Sequence, residues 1–156
     1  MTLPVLIAEP WADYGLVDSG HGRKLERYGR VRLIRPEPQA MWAPASGDWR
    51  ADGEFVGGSD EEGGCRWRLE PGRVPDSWPL AWEEVRFHAA CTPFRHLAFF
   101  PDMAPQWAWM RARVRPDADY LNLFGYTGVG TLALAAAGGR VTHVDASKKA
   151  VEAAKA

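Results

Sequence analysis

Asp119-Tyr-Leu-Asn-Leu-Phe-Gly-Tyr-Thr-Gly-Val-Gly-Thr131, continued by Val141-Thr-His-Val-Asp145, decides the fold of this chain. Tyr120 to Phe124 is a short apolar run broken only by Asn122, as in a buried parallel strand. Gly125, Gly128 and Gly130 form a loop, and Thr131 to Ala137 supplies helix formers without proline. Gly138-Gly139 ends that helix in the manner of a left-handed cap. Arg140 to Val144 reads as a second strand with Asp145 at its carboxyl end. The order strand, glycine loop, helix, strand, acid is the first half of a nucleotide-binding βαβ unit, where ligands lie outside the strand ends.

The loop narrows the ligand. A dinucleotide fingerprint, G-x-G-x-x-G, lets a pyrophosphate approach the backbone at the helix N-terminus. Here Tyr126 and Thr127 stand between Gly125 and Gly128 and crowd a pyrophosphate. They are compatible with a small carboxylate, such as the methionine end of S-adenosylmethionine. Asp145 follows Gly125 by twenty residues, about where an acid that binds ribose hydroxyls belongs. The bland alternative is a doubly wound protein that merely carries glycines after its first strand.

Asn122-Leu-Phe-Gly-Tyr-Thr-Gly128 followed by Val144-Asp-Ala-Ser147 resembles the N-x-F-x-Y-T-G … V-D-x-S pattern of class I S-adenosylmethionine-dependent methyltransferases of the large-subunit ribosomal RNA group, which act on cytosine C5 or guanine N2. Phe94 to Trp107 is similar to the lead-in segment of that family, which commonly has glycine at the place of Ala98 and Glu-Gln at that of Asp102-Met103. The resemblance implies S-adenosylmethionine as cofactor. It places the backbone of Gly125, Tyr126, Thr127 and Gly128 against the methionine moiety, with Asn122 and Phe124 in the same motif. It gives Asp145 the ribose hydroxyls, sets Ala146 and Ser147 beside the adenosine, and makes Phe100 part of an apolar wall. It also implies that the adenine-contacting acid and the catalytic residues lie beyond Ala156. On this reading the chain is the N-terminal portion of a longer enzyme and inactive alone.

The rest of the chain has an ordinary globular composition, 46% hydrophobic and 25% charged, able to bury a core. A net charge of −1 argues against a general polyanion binder, so any nucleic-acid surface is a local patch. Tyr14–Asp18, Lys24–Tyr28 and Val31–Arg35, separated by Ser19–Gly22 and Gly29, predict a small antiparallel sheet. Arg23, Lys24, Arg27, Arg30, Arg32 and Arg35 are opposed within it only by Glu26. Two readings stand level: an RNA-facing patch carried by Arg23, Lys24, Arg30, Arg32 and Arg35, or a solvated edge whose charges discourage sheet pairing. Residues 43–64 form a glycine-rich acidic loop with a brief strand at Glu54–Val56, and Glu61 and Glu62 read as solvated charge. Cys65–Leu69 alternates as a strand, Pro71–Pro79 is a connector, and Trp82–Cys91 returns to strand character. Gln106–Arg113 is an amphipathic helix, with Asp102 and Gln106 as polar contacts near the wall formed by Phe99, Phe100 and Pro101. Ser147 caps a helix from Lys148.

Eight tryptophans suggest either a base-stacking platform or the packing of a small β domain, and packing is favoured. The four histidines form no constellation with a nucleophile, and none is singled out. Cys65 and Cys91 have no metal-ligand spacing and read as reduced thiols of a cytoplasmic protein, Cys91 as core. No metal site and no membrane span is expected, and Met1 to Ile7 is too short for a signal peptide.

The expected architecture is α/β, with a β-rich domain over residues 1–91, a lead-in segment and helix over 92–118, and the start of a Rossmann-like S-adenosylmethionine-binding domain over 119–156. The expected function is S-adenosylmethionine-dependent methylation of RNA bases, with ribosomal RNA implied as acceptor by the resemblance alone. A fragment of a nicotinamide oxidoreductase and a non-catalytic RNA- or partner-binding module are the alternatives.

Overall fold

Short alternating segments punctuated by glycine turns fold as strands. The computed structural model describes residues 5–57 and 64–155, so Glu61, Glu62 and the leading 1–4 lie outside the described residues. The chain divides into two compact units, one of residues 10–82 and 88–98, the other of 83–87 and 99–155 together with 5–9. The expected lead-in segment is therefore shared between them at Ala98/Phe99.

In the first unit β1 (Tyr14–Gly20), β2 (Arg23–Tyr28) and β3 (Val31–Pro36) form an antiparallel meander. β3 pairs in parallel with β4 (Gly53–Val56), which pairs antiparallel with β5 (Arg66–Leu69). Leu25, Tyr28, Val31, Leu33 and Phe55 are buried from this sheet, joined by Trp78, Leu80 and Trp82. Those last three lie on β6 (Trp78–Trp82), whose first two residues fall in the expected connector Pro71–Pro79 and whose last, Trp82, opens the expected strand. Pro79 misleads the reading: it takes an exposed position, while its neighbours alternate inward. β7 (Val85–Ala89) is the strand along which the chain passes between the units. Among the tryptophans Trp78, Trp82 and Trp107 are buried, whereas Trp42 and Trp109 are exposed.

One ion pair is built into the first unit's core. Arg35 donates Nε–H to Glu26 Oε2 at 2.7 Å and Nη2–H to Oε1 at 2.8 Å, and Tyr14 Oη–H adds a bond of 2.9 Å. Burial pushes the Glu26 carboxyl upward, but Arg35, Lys24 and Tyr14 together outweigh it and hold the group below its ordinary value. Ala98, at the place where the resembling family commonly has glycine, has φ +66°, a conformation in which glycine is unstrained.

In the second unit a 3₁₀ turn at Pro101–Met103 runs into α1 (Ala104–Arg111), with Pro105 in its first turn. β8 (Asp119–Leu123), α2 (Val129–Ala136) and β9 (Arg140–Val144) form a βαβ unit whose strands pair in parallel from Asp119↔Arg140 to Leu123↔Val144. Gly138, at φ +93°, ends α2, and Gly139 N–H returns to Leu134 O at 3.1 Å. α3 (Lys148–Lys155) starts at Ser147, whose Oγ accepts Ala150 N–H at 3.2 Å. Val129, Ala133 and Leu134 of α2 are buried with Trp107 of α1, and α2 packs on both strands. Leu121, Leu123 and Val144 alternate with the half-buried positions of their strands and are exposed.

Candidate functional site

The turn from β8 into α2 adopts an uncommon backbone. Phe124 (φ +56°) and Tyr126 (φ +50°) both lie in the left-handed region, on either side of Gly125, and Gly128 at φ +93° caps α2. Such conformations cost non-glycine residues on the order of 1–3 kcal/mol each and persist only when their surroundings hold them. Here Gly125 N–H donates to Val144 O at 3.0 Å, Tyr126 N–H to Asp145 Oδ2 at 2.9 Å, and Gly128 N–H to Gly125 O at 3.0 Å.

Asp145 thus does two jobs at the end of β9. One carboxylate oxygen takes the Tyr126 N–H and the other takes Ser147 N–H at 2.8 Å. The Ser147 and Tyr126 amides, outweighing slight desolvation, hold the carboxyl below its usual value. A carboxylate offers about four lone-pair sites. Each oxygen therefore keeps capacity for a further donor.

A concavity of about 360 Å³ opens over this turn, within the roughly 300–1,000 Å³ of small-ligand clefts. Of the residues picked out by sequence, Phe100, Asn122, Phe124, Gly125, Tyr126 and Thr127 line it. Phe100 and Tyr126 pack with ring centroids 5.2 Å apart and planes tilted by 45°, forming one wall, while Phe124 is 88% exposed and leaves a second aromatic face open. Gly128 is buried against Ala154; Asp145, Ala146 and Ser147 border the turn without lining the concavity. Gln106 lines it and Asp102 does not. Met103, Trp107 and Met110 also line it, and sequence reading missed them. Their spacing of four and three residues is that of one helix face.

His143 was passed over as well. A Cβ on Gly125 would stand 2.4 Å from His143 Cε1, so the imidazole packs directly against the glycine. His143 Nδ1 meets Thr131 Oγ at 2.8 Å, and Thr131 Oγ accepts Asn122 Nδ2–H at 2.9 Å. The Asn122 amide nitrogen is therefore committed to tying β8 to α2, and to β9 through the histidine.

The expected basic patch is divided by the fold. Arg35 is 6% exposed and bound to Glu26, which corrects its placement on an RNA-facing surface. Its position in β3 alternates inward with the core, a placement that counting charges along the sequence does not reveal. Arg23 pairs with Glu54, Lys24 with Glu26 and Glu37, and Arg27 donates to the carbonyls of Trp11 and Ala12. Arg30 and Arg32 are exposed, and their guanidiniums have no carboxylate partner among the described residues. Cys65 and Cys91 are free, and burial pushes the Cys91 thiol up to about 11, so it stays protonated at neutral pH. Among the described residues no cluster of His, Cys, Asp and Glu could hold a metal ion, and no helix is long and apolar enough to cross a membrane.

No protein-family model and no curated protein sequence matches the chain. Solved structures do. A SAM-dependent methyltransferase from Agrobacterium tumefaciens is 45% identical with a TM-score of 0.87, over 99% of this chain and 50% of that one. A Streptococcus mutans protein ascribed to the SAM-dependent methyltransferases gives a TM-score of 0.66 at 13% identity, over 92% of this chain and 41% of that one. SMU.776, assigned as a methyltransferase and solved with SAH, gives the same values and, like it, speaks to the fold alone. This chain spans half the length of the first of these proteins and 41% of the other two. Its βαβ unit, its strained glycine turn and its likeness to the Agrobacterium protein over nearly every residue support the class I S-adenosylmethionine-dependent methyltransferase superfamily.

Proposed function

We propose that this chain carries the cofactor-binding portion of a cytoplasmic S-adenosylmethionine-dependent methyltransferase that acts on RNA bases, with ribosomal RNA as acceptor. The observation that carries the reading is the turn Phe124–Gly128, held in a left-handed backbone beneath a concavity and anchored to Asp145. The residues fit the cofactor. The half-buried turn Gly125–Thr127 lines the concavity where the methionine end would lie, Phe100 and Tyr126 offer an apolar wall, and the unused lone pairs of Asp145 suit ribose hydroxyls. Ala146 and Ser147 follow on the same turn and would border the adenosine.

Bound there, S-adenosylmethionine supplies an electrophilic methyl on a sulfonium. This chain's part is to bind and orient. The Asn122–Thr131–His143 contacts hold β8, α2 and β9 in one arrangement, so the turn is preorganised before ligand arrives. RNA as the acceptor rests on the resemblance of the Asn122–Gly128 and Val144–Ser147 motifs, and the free thiols agree with a reducing compartment.

Calorimetric titration of the full-length protein with S-adenosylhomocysteine and with NAD tests the cofactor reading. Binding of the first and no heat from the second is expected. Asp145→Ala should weaken the first about 10- to 100-fold, the worth of hydrogen bonds to a charged group, about 1.5–3 kcal/mol. Tighter binding of NAD, or an unchanged affinity in Asp145→Ala, overturns it.

A further inference from the structure

A second concavity, of about 460 Å³, lies wholly within the first unit and is lined by Arg30, Arg32, Arg50 and Arg73 with Asp52 and Glu70. These residues are far apart in sequence, and the strand order gathers them. β3 runs parallel to β4 and β4 antiparallel to β5. The start of β3, the start of β4 and the chain just past β5 therefore meet at one end of the sheet, bringing Arg30 and Arg32, Arg50 and Asp52, and Glu70 and Arg73 together.

The floor is rigid. Asp52 Oδ2 accepts Arg32 N–H at 2.8 Å, and Asp52 N–H donates to Arg32 O at 2.7 Å. Glu70 N–H donates to Asp52 O at 2.8 Å, and Arg73 N–H to Glu70 O at 3.1 Å. One carboxylate oxygen of Asp52 is thereby occupied by the backbone. All four guanidiniums are exposed. Arg50 has a single long contact, 3.9 Å to Asp48, between two side chains that are almost wholly in solvent. The guanidiniums of Arg30, Arg32 and Arg73 have no carboxylate partner among the described residues. Three other arginines of this unit are otherwise engaged, Arg23 with Glu54, Arg27 with backbone and Arg35 with Glu26. Four cations against two carboxylates on a fixed floor favour an anion, and planar guanidiniums match the paired oxygens of a phosphate.

We propose that this arginine groove is a phosphate-backbone site for the RNA acceptor. The inference rests on the reading of the acceptor as RNA. It replaces the patch along residues 23–35 by one that combines Arg30 and Arg32 with Arg50 and Arg73.

The test is fluorescence anisotropy of the full-length protein with a short labelled single-stranded RNA of mixed sequence, over a salt series. Each phosphate contact adds about 0.7 to the slope of log affinity against log salt. The Arg30→Gln, Arg32→Gln, Arg73→Gln variant should lower the slope by about 2 and weaken binding at least about tenfold. Arg73→Gln alone, with no side-chain partner to lose, should lower it by about 0.7. An equal-charge control, Arg68→Gln, Arg86→Gln, Arg115→Gln, should leave the slope within error of wild type, and thermal melts verify that each variant folds. A wild-type slope in the groove variants, or an equal loss in the control, overturns the groove while leaving RNA as acceptor. A wild-type protein that binds no RNA overturns both, while calorimetry with S-adenosylhomocysteine still reads the cofactor site by itself.

Discussion

Gly125 cannot become alanine without moving His143, because the new Cβ would lie 2.4 Å from the imidazole Cε1. Overpacking of this kind costs about 1–3 kcal/mol. Gly125→Ala should therefore unfold at lower urea, and adding His143→Ala should recover part of the loss; strict additivity of the two would refute the contact. Asp145 makes a separate prediction through pH. Its folded pKa lies below the ordinary 3.8, so the charged form is the one favoured by the fold. Its contribution to the turn is complete above that value and fades as pH falls through the lowered one. Affinity for S-adenosylhomocysteine should be flat from pH 8 down to about 5 and drop only in the acid range below 3.8; a midpoint near neutrality in tryptophan-fluorescence titrations would assign the dependence elsewhere. The glycines and Asp145 were legible in the sequence because their spacing follows from the βαβ connection itself. His143 was not, because its place beside Gly125 comes from the parallel register Asn122↔His143, which no local periodicity encodes.

Between β2 and β3 the pair Glu26–Arg35 sits inside the sheet's core rather than on its surface. Removing one partner leaves a buried charge uncompensated, which costs about 3–5 kcal/mol. Glu26→Gln should shift the chemical unfolding of the first unit by about that amount, whereas Glu26→Leu combined with Arg35→Met should cost less than the single change. Equal losses would mean that the pair carries no coupling. At this scale the meander was plain in the sequence, since turns at His21–Gly22 and Gly29–Arg30 separate three alternating runs. The start of β6 was hidden by Pro79, and the helix face Met103, Trp107, Met110 by the 3₁₀ turn that splits its lead-in. The arginine groove was half legible. Arg30 and Arg32 are neighbours in sequence, but Arg50 and Arg73 join them only through the parallel pairing of β3 with β4.

Across the whole molecule, the sheet β8–β9 shows how far a two-stranded arrangement can go. α2 covers one face, and Leu121, Leu123 and Val144 leave the other exposed at 62%, 53% and 43%. Contiguous apolar exposure of this kind binds hydrophobic dyes. The 156-residue chain prepared alone should enhance the fluorescence of anilinonaphthalene sulfonate, and Leu121→Lys with Val144→Lys should abolish most of that signal; an undiminished signal would locate the dye elsewhere. The meander has a different consequence, one of timing. Its three strands close on each other within residues 14–36, through two-residue turns. Local contacts of this sort form fast, whereas pairing that must wait for a helical crossover forms slowly. On a ribosome the meander can be in place before the Gly125 turn has been synthesised, and the arginine groove closes once residue 73 has emerged, so a nascent chain would complete the groove proposed for RNA earlier than the turn proposed for cofactor.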